Sequence, residues 1–438
     1  MNAIDQLRES IADSKAVVGI VGMGYVGFPL GVAVERAGFN VVGYDLDPSK
    51  IADMTEGRSY LGDGWTETFK HMAASDRFGA TSDPAALADC DLIILCVPTP
   101  LDEERQPDLT CVIESTKMVA GILRPGQLVI LESTTWPGTS REVMLPILEE
   151  AGLQHGDDFL LAYSPERENP GDPVFHTASI PKVVGGLDQH AGEVASAFYQ
   201  KVVCDVVTVS TCEVAEASKI VENVYRCVNI ALVNELKVVF EGLGIDVWEV
   251  IQASATKPFG FHPFWPGPGL GGHCIPIDPF YLSWRARQFG QEAKFIELAG
   301  EINTAMPERV VDRTCEVLAQ QEAGDSPSVL VIGVSYKPNV SDIRETPAAP
   351  IIESLQDRGC SVSFHDPHCP QFPAMKKHTI DLDSVPLDEA HLAAADVVLI
   401  VTDHDAVDWT LIGRHARMVV DTRNAMHGVA MSGRLVKA

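Results

Sequence analysis

Short apolar runs alternate with helical segments along the first half of the chain. Residues 16–24, AVVGIVGMG, form an apolar run that ends in glycines, and a helical pattern follows to about Ala37. NVVGYDLD reads as a second strand, and DLIILCVP, QLVILESTT, FLLAYSPER, KVVGG and VVTVS as further buried strands. Apolar runs of this length, each separated by a helical segment, predict a parallel, doubly wound sheet. Residues 213 to about 241 break the rhythm. Val214, Ala217, Ile220, Val221, Val224, Tyr225, Val228, Leu232, Leu236 and Val239 lie mostly three or four apart, with no Pro or Gly between them. That spacing predicts one long amphipathic helix, suited to a connector or a dimer interface. After the polar linker EAGDSPS a second α/β pattern begins: VLVIGVSYK, a helix through APIIESLQDRG, then SVSFHDP, DVVLIVTD and RMVVDTRN. The expected plan is two Rossmann-like doubly wound parallel-sheet domains joined by a long central helix and a helical middle region. The boundaries fall at 1–211, 212–323 and 324–438.

Length and charge narrow the function. At 438 residues, two or three domains are expected, and 46 % hydrophobic residues suffice for large cores. The formal net charge of −28 disfavours nucleic acid and anionic membranes as partners, because both need a basic surface. The first ten residues, MNAIDQLRES, do not read as a signal peptide, and no run of about 18 apolar residues occurs, so a cytoplasmic protein is expected. Ten cysteines are scattered without a CxxC pair, and for nine of them the expectation is a small buried hydrophobe in a reducing compartment.

GIVGMGYVG places Gly22, Gly24 and Gly27 in GxGxxG spacing. The run follows a strand and opens a helix, and the next strand ends in Asp45, about 20 residues on. This is the full context of a dinucleotide site: a tight turn, close backbone approach to a pyrophosphate at a helix N-terminus, and a carboxylate for the ribose hydroxyls. Asp45 would repel a 2′-phosphate, so NAD is expected over NADP.

The tenth cysteine, Cys274, sits in GPGLGGHCIPID, residues 267–278. A packed thiol, a metal ligand and a covalent nucleophile compete here. Glycines and prolines describe a loop rather than a core element. Zinc ligands come in spaced sets, and the only other fragment, HDPHC at 365–369, reads as a loop after a strand, so no metal is expected. In a dehydrogenase, a thiolate that attacks an aldehyde gives a thiohemiacetal, and loss of hydride then gives a thioester; this fits best.

GIVGMGYVGFPLG, CVPTP, STTWPGT, SPERENPG, EASKIVENVYR, GPGLGGHCIPIDPFYL and YKPNVSDIRETPA occur in this order across essentially the whole chain. Together they resemble the UDP-glucose/GDP-mannose dehydrogenase family. The forms of SPERENPG, IPKVVGG and TKPFGFHPFWPGPGLGGHC look most like its UDP-N-acetylglucosamine 6-dehydrogenases. The resemblance implies oxidation of a sugar 6-hydroxymethyl group to a carboxylate with two NAD per turn, as a precursor step for a surface polysaccharide, by a homodimer or higher homo-oligomer. It implies that domain 1–211 binds NAD through Gly22, Gly24, Tyr25, Val26, Gly27, Asp45, Pro98, Thr99 and Thr134. The middle region would dimerise, and domain 324–438 would bind the UDP-sugar.

By the same resemblance Cys274 is the nucleophile, and Lys219 and Asn223, four apart on the long helix, stabilise the oxyanion at C6. Thr134 holds the hydrolytic water, Glu166 orients or deprotonates it, and Asp278 tunes the site. Without the motif, Lys219 and Asn223 would read as a solvated helix face, and Asp278 as a helix N-cap. Arg167, Phe261 and Gly271 join Glu166, Lys219 and Asn223 at the substrate. Lys337, Arg344 and Arg423 are the natural counter-charges for the UDP end; the alternative for Arg344 and Arg423 is an ordinary surface ion pair. Pro170, His273 and Ile277 depart from the UDP-glucose branch. The alternatives are the same chemistry on UDP-N-acetylmannosamine or UDP-glucose, or a nucleotide-sugar-binding protein without activity.

Overall fold

The computed structural model describes residues 2–102, 106–167, 177–272, 274–321, 324–375 and 377–438. Pro170 and His273, two of the three departures that bear on the sugar, lie outside the described residues. The chain divides into two compact units, Met1–Glu222 with Phe280–Gln291, and Asn223–Pro279 with Glu292–Ala438.

The first unit is built on an eight-stranded sheet. Its strands are β1 (Val17–Val21), β2 (Asn40–Tyr44), β3 (Phe78–Thr81), β4 (Leu92–Leu95), β5 (Leu128–Leu131), β6 (Leu160–Tyr163), β7 (Lys182–Gly186) and β8 (Val206–Val209), in the order β3-β2-β1-β4-β5-β6-β7-β8. Every residue of β4, β5 and β6 is buried, as expected for strands covered on both faces. The order reverses at β1, which lies between β2 and β4, and an open α/β sheet offers its ligand crevice at such a reversal. One strand departs from the parallel expectation. β7 runs antiparallel to β6, with Ala162 opposite Gly186 and Tyr163 opposite Gly185. An antiparallel return needs no crossover helix between the two strands.

The second unit carries β9 (Ser328–Ile332), β10 (Ser361–His365), β11 (Val397–Ile400), β12 (Met418–Asp421) and β13 (Arg434–Lys437). All pair in parallel, in the order β10-β9-β11-β12-β13. The turn after β9 repeats the device of a glycine loop. Gly333 has φ +77°, and a Cβ on it would stand 2.3 Å from the Thr402 carbonyl oxygen. Asp366, just past β10, closes this turn by accepting from the backbone of Val334 at 2.7 Å and from buried His404 at 3.1 Å.

The long helix runs from Cys212 to Gly242. Its apolar positions divide between interior and surface, with Ile220, Ala231 and Val233 buried. The buried side carries Glu216, Lys219, Asn223, Asn234 and Lys237, whereas Val214, Val221, Tyr225, Leu232 and Val239 are exposed. Lys219 is 6 % exposed and Asn223 5 %, so neither belongs to a solvated face. No helix among the described residues is long and apolar enough to cross a membrane.

Candidate active site

In the first unit the loops after β1, β4, β5 and β6 meet at the carboxyl edge of the sheet. Gly22 takes φ +93°, and a Cβ there would lie 2.4 Å from the Cys96 carbonyl oxygen; a Cβ on Gly27 would lie 1.9 Å from that of Gly22. Both positions exclude any other residue. A Cβ on Gly24 meets nothing within 4 Å. The helix Gly27–Arg36 has no side-chain cap; its Phe28 N–H already donates to the Gly24 carbonyl at 3.1 Å and Pro29 has no N–H, so an anion here would be met by the glycine-loop backbone and the positive end of the helix dipole. These features fit a dinucleotide pyrophosphate. Tyr25 is exposed beside Gly24, and Val26 is half-buried. Asp45 accepts from the backbone of Met23 and Asp47 at 2.9 and 3.0 Å. It also forms an ion pair with Lys50 at 2.9 Å, so the ribose end of the site holds a paired carboxylate rather than a bare one.

Pro98 is exposed and Thr99 buried; the Tyr281 hydroxyl donates to the Thr99 carbonyl at 2.8 Å. Thr134 is buried at the end of β5. Its neighbour Ser133 clasps the backbone of Val97, accepting at 2.9 Å and donating at 2.7 Å. Glu166 follows β6, its backbone N–H reaching the Glu132 carbonyl at 3.4 Å, and its carboxylate pairs with Lys219 at 3.1 Å. Arg167 points elsewhere. Its guanidinium bridges Glu222 and the Pro181 carbonyl, which makes it a brace for the loop around Glu166.

Glu216, one turn before Lys219, was not singled out by the motifs. Its carboxylate accepts from the backbone of Gly138 at 2.5 Å and of Ser140 at 2.9 Å, and from the Ser140 hydroxyl at 2.7 Å. Burial pushes it up to about 7 against these donors. The i, i+3, i+7 spacing of Glu216, Lys219 and Asn223 was the available signal.

In the second unit Cys274 is half-exposed and opens a turn. Its carbonyl accepts from the backbone of Ile277 and Asp278 at 3.1 and 2.8 Å. Asp278 begins the helix Asp278–Gln288 and is buried, and its carboxylate accepts from the Asn223 side-chain amide at 2.5 Å. It is therefore an internal partner and more than an N-cap. The glycine loop before Cys274 packs on the segment after β9. A Cβ on Gly271 would lie 2.7 Å from Tyr336, and the Gly272 N–H donates to the Arg344 carbonyl at 3.0 Å. Arg423 is no surface ion pair. Its Nε donates to the Val401 carbonyl at 2.9 Å, and a Cβ on Gly267 would touch its guanidinium at 2.5 Å. Arg344 is exposed and bonds Asp342 within its own loop, and half-buried Lys337 lies over the Tyr336 ring.

Phe261 is placed apart from these residues. With Tyr225, Leu232 and Phe264 it lines an apolar groove of about 530 Å³ that contains none of the other expected site residues. The ten cysteines form no disulfide, but Cys111 and Cys204 are exposed, against the expectation of burial. Their positions on a helix start and a loop after a helix keep them off any core face. Among the described residues no group of three or more His, Cys, Asp or Glu side chains could hold a metal ion.

Residues 16–203 match the NAD-binding domain of the UDP-glucose/GDP-mannose dehydrogenase family, residues 213–305 its central domain and 330–428 its UDP-binding domain. The chain belongs to this family. NAD is its cofactor, and the second sheet is its UDP-binding domain. The chain is 36 % identical over 390 residues to Protein CapL of Staphylococcus aureus, covering 88 % of this chain and 89 % of that protein. It is 34 % identical over 387 residues to a UDP-N-acetyl-D-glucosamine 6-dehydrogenase of Pseudomonas aeruginosa, covering 88 % and 90 %. Among solved structures, a UDP-D-ManNAc dehydrogenase from Pyrococcus horikoshii superposes with a TM-score of 0.85 at 28 % identity, covering 96 % of this chain and 98 % of that one.

Proposed function

We propose that this protein oxidises the 6-hydroxymethyl group of a UDP-N-acetylhexosamine to a carboxylate in two NAD-dependent steps. UDP-N-acetylglucosamine is the substrate we favour, giving UDP-N-acetylglucosaminuronate for a surface polysaccharide. The observation that carries this reading is the burial of Lys219 and Asn223, the former paired with Glu166 and the latter with Asp278. A buried lysine–carboxylate pair and a carboxylate-held amide are costly to assemble and serve poorly as plain packing.

NAD, when bound, accepts the hydride at each oxidation. Lys219 and Asn223 present an ammonium and an amide N–H to the oxygen on C6 as charge develops there. Asp278 holds the Asn223 amide by accepting one of its two N–H groups, and the other N–H is the donor offered to that oxygen. Cys274 adds to the intermediate aldehyde, giving a thiohemiacetal and, after the second hydride loss, a thioester. Thr134 holds a water, and Glu166 takes its proton as the thioester is hydrolysed. Lys337, Arg344 and Arg423 counter the diphosphate charge, which an otherwise acidic chain requires. The exposed stripe Val214, Val221, Tyr225, Leu232 and Val239 supports a homodimer through the long helix, and ten cysteines without a disulfide support a cytoplasmic site.

The likeness to the Pyrococcus horikoshii UDP-D-ManNAc dehydrogenase favours UDP-N-acetylmannosamine as a second reading. UDP-sugars offered one at a time, with NADH counted per sugar consumed, test both. Two NADH per UDP-N-acetylglucosamine, with UDP-glucose far slower, is expected. Faster turnover of the mannosamine sugar moves the substrate and keeps the mechanism. One NADH per sugar removes the four-electron reading.

A further inference from the structure

Beneath the loop that carries Glu166 lies a buried cluster that no motif marked. Glu132, the last residue before Ser133 and Thr134, accepts from the Lys182 ammonium at 2.8 Å and from the Tyr199 hydroxyl at 2.5 Å. The Lys182 ammonium also reaches the Pro165 carbonyl at 3.3 Å and stands 5.0 Å from the centre of the Tyr199 ring. All three side chains are buried. Glu132 thus holds both sides of the site's edge, since its own carbonyl accepts from the Glu166 backbone. Between the cluster and Glu166 lies a cavity of about 10 Å³, lined by Glu132, Glu166, Arg167, Lys182, Val26 and Leu30. Its walls mix apolar and charged side chains, and its size suits a single water molecule that Glu132, Glu166 and Lys182 could bond.

A buried ion pair is weak evidence of stabilisation, because apolar residues of the same volume hold strands as well or better. What Lys182 adds is a donor aimed at the carbonyl one residue before Glu166. We infer that Lys182, Glu132 and Tyr199 are positioning residues that set Glu166, through the Pro165 carbonyl and one cavity water, for hydrolysis of the thioester. This rests on the thioester reading above. In that step the oxygen of the water held by Thr134, distinct from the cavity water, adds to the thioester carbon as the carbon–sulfur bond breaks. One proton passes to Glu166, the sulfur leaves as thiolate, and the carboxylic acid formed releases the second proton to solvent. The two oxidations do not need this water, so the cluster acts on one half of the reaction.

The test is the double variant Glu132→Gln/Lys182→Met, which keeps side-chain volume and strands no charge. Stopped-flow absorbance should show a rapid burst of NADH, followed by a steady rate about tenfold below wild type, short of the roughly hundredfold or more that complete loss of general-base assistance costs. Quenched samples should carry a sugar acyl group on Cys274 by intact mass, with kcat/KM for the UDP-sugar unchanged and KM falling together with kcat. A purely structural role would slow burst and steady phases together and leave no adduct, and that result, or an unchanged steady rate, overturns the inference. If the double variant does not fold, Tyr199→Phe decides: a smaller burst with adduct supports the inference, and kinetics like wild type overturn it. Cys274→Ala separates the two failures. Near-wild-type turnover there removes the thioester reading itself, whereas an essential Cys274 with no adduct in the cluster variants removes only the positioning role.

Discussion

Lys237 lies on the buried side of the long helix, 6 % exposed, with no hydrogen bond or ion pair among the described residues. Burial pushes its ammonium from the ordinary 10.5 down to about 8; Arg423 and Arg309 push the same way, while Glu241 and Asp421 oppose. The folded protein therefore binds this proton less tightly than the unfolded chain. Below pH 8 both states are charged, and the full penalty applies. As pH rises from 8 to 10.5 the folded side chain is already neutral, and the penalty fades. A shift of this size corresponds to about 3 kcal/mol at pH 7. Lys237→Met keeps the length and removes the charge, so it should stabilise the ligand-free protein by about 1–3 kcal/mol at pH 7, after allowance for imperfect packing. Denaturant unfolding of both proteins at pH 7 and pH 9.5 measures it, and the gain at pH 9.5 should be less than half that at pH 7. A variant no more stable than wild type at pH 7, or a gain that ignores pH, would refute the reasoning.

Glu216 titrates in the opposite sense. Its folded value near 7 lies above the ordinary 4.5, so its contribution is fully present below pH 4.5 and is lost as pH rises through 7. The stability of Glu216→Gln relative to wild type should therefore rise by about 3 kcal/mol between pH 4.5 and 8, and a flat difference in pH-dependent melts would count against it. Because Lys50 pairs with Asp45, Asp45→Ser should leave an unpaired cation at the ribose end and raise kcat/KM for NADP relative to NAD about tenfold; an unchanged ratio would remove Asp45 from that role. Gly267→Ala should push the Arg423 guanidinium aside and raise KM for the UDP-sugar several-fold at unchanged melting temperature. A KM equal to wild type would show that Arg423 does not meet the nucleotide.

The strand–glycine–helix start, the second sheet and the extent of the long helix were legible because each rests on local pattern: apolar runs, turn glycines and an uninterrupted helical period. Which side of that helix is buried was not. Periodicity gives the stripe but not what covers it: Ile220 is buried, Val221, Tyr225 and Leu232 face outward, and Glu216, Lys219 and Asn223 face inward. The polar side is paid for by partners distant in sequence, such as Glu166, Gly138 and Asp278, which no local window contains. The antiparallel β7 escaped for the same reason, since KVVGG reads alike in either direction. Motif membership placed Arg167 and Phe261 at the substrate, yet Arg167 is engaged by Glu222 and Phe261 lines a separate groove. Glu132, Lys182 and Tyr199 sit in ordinary strand and helix positions, and only the fold brings them together.

The central claim is a covalent four-electron oxidation through Cys274, and net NADH production by Cys274→Ala with UDP-N-acetylglucosamine tests it most directly. The account predicts that wild type forms two NADH per sugar and that the variant, folded and still able to bind UDP, loses sustained turnover to the uronate. Two NADH per sugar at a rate near wild type in Cys274→Ala would contradict it.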